Sequence, residues 1–172
     1  FHHFETGNLQ AALRCFHESK LYNTTPKHIQ DMTINILSTL IHMGRGAYLS
    51  NFLIKSSSEL EGGDKDKMQF CIGLNALYAK DYTSAARHFT DISPQIAQAT
   101  SITCIDDVVQ YGVLCALASL SRREIQQLIA SESTRALLEN CPSWHQMIKQ
   151  YLSGGYAALR RYMVQVEPIL RL

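Results

Sequence analysis

Two stretches of this chain align with each other at fixed spacing. GNLQAALRCF at residues 7–16 aligns with KDYTSAARHF at residues 80–89, pairing Ala12 with Ala85, Arg14 with Arg87 and Phe16 with Phe89 at an offset of 73 residues. Half that offset lands on GRGAYLSNFL at 44–53, where Leu49 and Leu53 take the Ala and Phe places. A step of 74 residues from Tyr82 reaches Tyr156 in GGYAALRRYM. The unit is therefore about 37 residues, which suits one pair of antiparallel helices per repeat. No such pair can bury its apolar stripe alone, so successive pairs must stack.

The fullest copy runs from about residue 68 to residue 92. Ile72-Gly73 followed by Ala85-x-x-x-Phe89 resembles a tetratricopeptide repeat in its spacing, and the spacing has a steric reason. Gly73 and Ala85 lack bulk where the two helices of a pair touch, and Phe89 fills the gap towards the next pair. Ala76 stands where that repeat carries Tyr, and Pro94 comes early, so the copy is tetratricopeptide-like. The packing set expected from the repeats is Ala12, Phe16, Gly73, Tyr82, Ala85 and Phe89. The pairs are expected to stack as a right-handed superhelix.

The rest of the chain reads as helix too. Met32, Ile36, Leu37, Leu40 and Ile41 recur at three- and four-residue spacing, and no stretch alternates with period two. YGVLCALASL at 111–120 has no charge in ten residues, followed at once by Arg122, Arg123 and Glu124. A helix over 108–120, apolar on nearly every side, belongs at the centre of a bundle. Gly112, Cys115, Ala116, Ala118 and Ser119 are the small residues expected to let neighbours approach it. Asp106 and Asp107 fit its first turn, where negative charge meets the positive end of the helix dipole. Pro142 suits the first turn of a later helix. ELEGGDKDK at 59–67 reads as a polar hinge, and SPQIAQATSIT at 93–103 as the longest break. The expected division is 1–100 for the repeats and 101–172 for a second helical unit.

Composition narrows the function classes. Sixteen basic and fifteen acidic residues give a net charge of +1, so neither nucleic acid nor an anionic membrane is indicated as a partner. No apolar run of about 18 residues could span a bilayer. The five cysteines (Cys15, Cys71, Cys104, Cys115 and Cys141) form no C-x-x-C and lie mostly in apolar helical patterns. They read as reduced thiols acting as small hydrophobes in a cytosolic or nuclear protein. The chain opens at Phe1 within a helical pattern, as expected of a fragment.

Catalytic and ligand motifs are thin. No phosphate-binding loop or dinucleotide fingerprint occurs. DKD at 64–66 resembles the start of a calcium loop but lacks its glycine and terminal glutamate, and reads as a solvated turn. His2, His3 and Glu5 have no further ligands at fixed spacing. His17, His28, His42 and His88 are scattered along helices. Cys141 and His145 have the spacing of a thiol–imidazole pair without a third orienting group. No catalytic residue, metal ligand or cofactor is expected, and no small-molecule substrate. Two basic pairs, Arg122–Arg123 and Arg160–Arg161, are the candidate partner surface; Trp144, Tyr151, Tyr156 and Tyr162 are aromatic anchors expected to pack in the core rather than form an exposed hot spot.

Tyr111, Gly112, Leu114, Cys115, Ala116, Leu117, Ala118, Ser119 and Arg122 match a string that resembles the subunit-one family of the COP-nine signalosome, with Val113 replacing a glycine. TGNLQAALRCF near the start, AARHFTDISP at 85–94 and IKQYLSGGY at 148–156 extend the likeness over nearly the whole chain. The related proteasome lid family shares the layout but not the L-C-A-L-A-S string. The resemblance implies helical repeats running into a PCI domain, whose helical part would cover about 104 to 172 and whose winged helix would follow Leu172. It implies a non-enzymatic scaffold, present in nucleus and cytoplasm. The expected partners are other PCI subunits and cullin-RING ligases, from which a different, zinc-bearing subunit removes Nedd8. A proteasome lid scaffold is one alternative. A free-standing adaptor is another; it would bind a peptide on the first helices of each pair, where Asn35, His42 and Asn75 lie.

Overall fold

The computed structural model describes residues 2–22, 24–56, 64–94 and 103–170, and among these residues it is helical throughout, with no strand. The helices are α1 (His2–Glu5), α2 (Leu9–Tyr22), α3 (Pro26–His42), α4 (Gly46–Ser56), α5 (Asp64–Tyr78), α6 (Tyr82–Thr90), α7 (Ile105–Ser119), α8 (Arg122–Ala130), α9 (Glu132–Asn140), α10 (Pro142–Ser153) and α11 (Tyr156–Leu170). No helix among the described residues is long and apolar enough to cross a membrane.

The repeat is written into the backbone at its turns. Gly7, Gly44, Lys80 and Gly154 have φ of +77°, +63°, +61° and +82°, and each lies between the two helices of a hairpin. Their spacing follows the repeat read from the sequence. After Lys80 and Gly154 the chain closes identically: Asp81 N donates to Ala76 O and Gly155 N to Gln150 O, the bond of a Schellman turn. The next helix is then capped where the sequence allows it. Asn8 Oδ1 accepts from Ala11 N, and Asp81 Oδ1 from Ser84 N, satisfying an amide that has no partner within the helix.

The second helices of the first three pairs bury the same two positions: Ala12 and Phe16 on α2, Leu49 and Leu53 on α4, Ala85 and Phe89 on α6. Phe89 is wholly enclosed. A Cβ added to Gly73 of α5 would come within 2.7 Å of its ring, and one added to Gly112 of α7 within 3.2 Å of its Cβ. The ring thus sits between two glycine surfaces, and the rings of Phe70 and Tyr111 lie 5.6 and 5.8 Å away. Burying such a side chain contributes about 1.5–3 kcal/mol.

Two apolar clusters result. The first joins α2, α3, α4 and α5 around Ile36, Leu37 and Leu49; the second runs from α5 through α6 and α7 to α9 and α10, around Phe89, Val108 and Leu138. Cys71 belongs to the first and its neighbour Phe70 to the second, so α5 faces both. The second cluster contains residues on either side of position 100, and packing is continuous across that position. Most of the expected break at 93–103, residues 95–102, lies outside the described residues, as do residues 59–63 of the expected hinge.

Several expectations are corrected. Asp64-Lys65-Asp66 is the first turn of α5 and not a solvated turn. Carboxylates stabilise the start of a helix, and Asp66 Oδ1 also accepts from Ser93 N. Tyr82 is 44% exposed rather than packed. It is the first residue of α6. Ala118 and Ser119 are exposed as well, so the last turn of α7 is uncovered; Gly112, Cys115 and Ala116 are buried as the core side of that helix.

Candidate interaction surface

Ser121 begins α8 with a capping box. Its hydroxyl accepts from Glu124 N, and the Glu124 carboxylate accepts from Ser121 N at 2.8 Å. The Ser121 hydroxyl and then the Ser121 backbone N–H, both acting on the carboxylate, hold Glu124 below its ordinary pKa, and the capping box fixes the first turn, which places Arg122. Arg122 is exposed and is also bonded within the chain. Its guanidinium donates to Tyr151 O at 2.9 Å and to Tyr156 Oη at 3.1 Å, and lies 5.6 Å from the centre of the Tyr151 ring. It ties the start of α8 to the turn between α10 and α11. Arg123, Arg160 and Arg161 are exposed. Arg160 follows Tyr156 by four residues and shares its face of α11. The Arg122–Tyr156 bond therefore brings the two arginine pairs to one corner of the molecule, with Tyr156 between them.

The three buried thiols are set against nucleophilic chemistry. Burial pushes Cys71 up to about 12 and Cys115 up to about 11. Cys141 is also pushed up to about 12, first by burial and then by Asp106, whose Oδ1 accepts from its Sγ at 3.0 Å. A reactive cysteine needs the reverse shift. His145 meets Cys141 only along the helix backbone, its N–H donating to Cys141 O. Among the described residues, no three His, Cys, Asp or Glu side chains are grouped as a metal site.

Two shallow polar clefts mark the joints between helices. One, of about 390 Å³, is lined by Gln69, Arg87, His88 and Asp91 of α5, α6 and the turn after it, with Ser131, Ser133 and Thr134 opposite. Its walls are already bonded to one another: the Gln69 amide donates to His88 Nδ1 at 3.0 Å, and Ser133 and Thr134 hydroxyls donate to Thr90 O. The other, of about 460 Å³, lies between Gly46, Ala47 and Ser50 of α4 and Asn75 and Tyr78 of α5.

A larger concavity than these two, about 650 Å³, lies elsewhere and was not foreseen. Leu13, His17, Lys20 and Leu21 of α2 form one wall, and Tyr48, Asn51, Phe52 and Lys55 of α4 the other; Ile29 and Leu40 of α3 supply the floor. The His17 ring meets Phe52 edge-on at 5.7 Å, and Lys20 Nζ stands 5.2 Å from the same ring. Burial, and then the Lys20 charge, hold His17 below its ordinary pKa. In sequence the only signal was Leu21 and Tyr48, apolar residues lying off the buried stripes of their helices. They are 83% and 59% exposed.

Residues 1–128, which include the expected central helix α7, match the family described as 26S proteasome subunit RPN7. The chain belongs to that family. Proteins named COP9 signalosome complex subunit 1 are among its relatives. The one from Arabidopsis thaliana is 30% identical over 99% of this chain and 40% of its own length. Subunit 1b from Drosophila melanogaster is 29% identical over 91% of the chain and 32% of its own length. The Emericella nidulans subunit 1 is 26% identical over 90% and 32%. The chain thus spans about a third to two-fifths of the length of these relatives. The family and the name agree with the resemblance drawn from Tyr111 to Arg122.

Proposed function

We propose that this chain is the helical-repeat portion of a signalosome subunit one and works as a scaffold without catalysis of its own. The observation that carries the reading is the 26–30% identity to proteins of that name over nine-tenths or more of the chain. The physical reading supports it. The chain is a stack of helix pairs whose buried thiols are held protonated, and the cleft between α6 and α9 is already bonded across its walls. In this reading the repeats form a right-handed superhelix, residues 101–172 open a PCI domain, and the protein works in nucleus and cytoplasm. It holds sister PCI subunits together while a zinc-bearing subunit removes Nedd8 from cullin-RING ligases. Arg122, Arg123, Arg160 and Arg161 are the basic residues offered to those partners.

The family description favours a second reading, a scaffold in the proteasome lid. Mass spectrometry of proteins co-purifying with the tagged full-length protein separates them. Signalosome subunits and cullins are the expected result. Proteasome lid and base subunits would move the assignment to the lid.

A further inference from the structure

We propose that the trough between α2 and α4 is a docking site for an acidic, amphipathic segment of another protein. The first observation is its shape and lining. Two helices pack on α3 and leave between them a trough of about 650 Å³, with Leu13, Leu21, Tyr48 and Phe52 along its walls. An apolar groove between helices takes the apolar face of a third helix. The second observation is its charge. Lys20 and Lys55 are the charged side chains among the described lining residues, and no carboxylate is among them.

Topology sharpens the second point. Because α2 and α4 both run antiparallel to α3, their last turns lie at the same end of the trough, beside Ile29 in the first turn of α3. Lys20 and Lys55 both come from those last turns. The cationic charge is therefore gathered at one end, while Leu13, Leu40 and Tyr48 leave the other end apolar. Charge complementarity of this kind selects partners more than it tightens them. The occupant that fits carries apolar residues at helical spacing and Asp or Glu at one end. This site lies on the second helices of the repeats, not on the first helices where Asn35, His42 and Asn75 stand. It does not depend on which complex the protein joins.

The test is to pan a display library of random peptides, each about 15 residues long or four helical turns, against the full-length protein. Selected peptides are then measured by fluorescence anisotropy. The expected winners combine helically spaced Leu, Ile or Phe with clustered Asp or Glu. Their affinity should fall about tenfold on Lys55→Glu, survive Lys55→Arg, fall again on Leu21→Ser, and weaken as salt is raised. Thermal melts of the variants should match the parent, since Leu21 and Lys55 are exposed. Winners without acidic residues, or binding indifferent to both Lys55→Glu and Leu21→Ser, would overturn the proposal. So would an absence of enrichment, a doubling of mass with concentration that Lys55→Glu abolishes, or sedimentation with anionic phosphatidylserine vesicles in place of peptide binding.

Discussion

At the scale of single residues, the stack is governed by where bulk is missing. Phe89 touches α5 at Gly73 and α7 at Gly112, and the two approaches differ. At Gly73 a methyl would meet the ring at 2.7 Å, inside van der Waals contact; at Gly112 it would meet Phe89 Cβ at 3.2 Å, a clash that a small shift relieves. Alanine also gains up to about 1 kcal/mol of helix propensity over glycine, while overpacking costs about 1–3 kcal/mol. Gly73→Ala should therefore destabilise by about 1–2 kcal/mol, and Gly112→Ala should be close to neutral, as read by urea denaturation. Equal effects would show that the two faces of Phe89 are not packed as described. Asp81 offers a pH-dependent counterpart. Its bonds from the Ser84 hydroxyl and amide hold its carboxyl below the ordinary value of 3.8. A depressed carboxylate stabilises the fold above its unfolded pKa, and that contribution is lost as pH falls through the folded value. Asp81→Asn should flatten the acid limb of the stability curve below about pH 4 while leaving the neutral region little changed.

Among the elements, the turns are more regular than the helices they join. Three of the four left-handed turn positions are glycine; the fourth is Lys80, at φ +61°. A side chain there costs about 1–2 kcal/mol, and glycine's extra freedom in the unfolded chain returns about 0.5–1 kcal/mol. Lys80→Gly should therefore stabilise by about 0.5–1 kcal/mol, a rise of about 1–4 °C in Tm for a chain of this size. Gly44→Ala should lower Tm by a similar amount for conformational reasons alone, because an added Cβ at Gly44 meets nothing within 4 Å. If both changes leave Tm unmoved, the turns are not strained. The spacing of these positions was legible in the sequence, since the aligned stretches begin at Gly7, Gly44 and Lys80, but the left-handed turn was not, least of all at a lysine. The arginines were legible only as charges. Nothing local to Arg122 announces that its partners are Tyr151 and Tyr156, some thirty residues on, because that contact depends on how α8, α10 and α11 fold back. The trough stayed hidden for the same reason. It is a gap between α2 and α4, and periodicity describes what a helix buries, not what two helices leave open between them. Tyr82 misled in the opposite sense, since its place in the repeat is fixed while its burial depends on what packs around the start of α6.

For the whole molecule, α5 decides how far one end of the stack feels the other. Phe70 and Cys71 are adjacent in sequence, yet they enter different clusters because successive residues on a helix point about 100° apart. Repeat proteins respond to damage as a chain of neighbours, each unit losing what its own contacts and its interfaces lose. Leu49, fully buried in the first cluster, gives a clean perturbation: Leu49→Ala removes a core side chain at a cost of about 2–5 kcal/mol. Native-state hydrogen exchange should show the largest loss of protection in α2, α3 and α4, a smaller loss in α5, and the least in α9 and α10, whose contacts run to α7 and not to the first cluster. The reciprocal change, Leu138→Ala in the second cluster, should reverse the order. Protection lost uniformly along the chain in both variants would mean that the two clusters unfold as one cooperative core, with α5 transmitting the damage instead of dividing it.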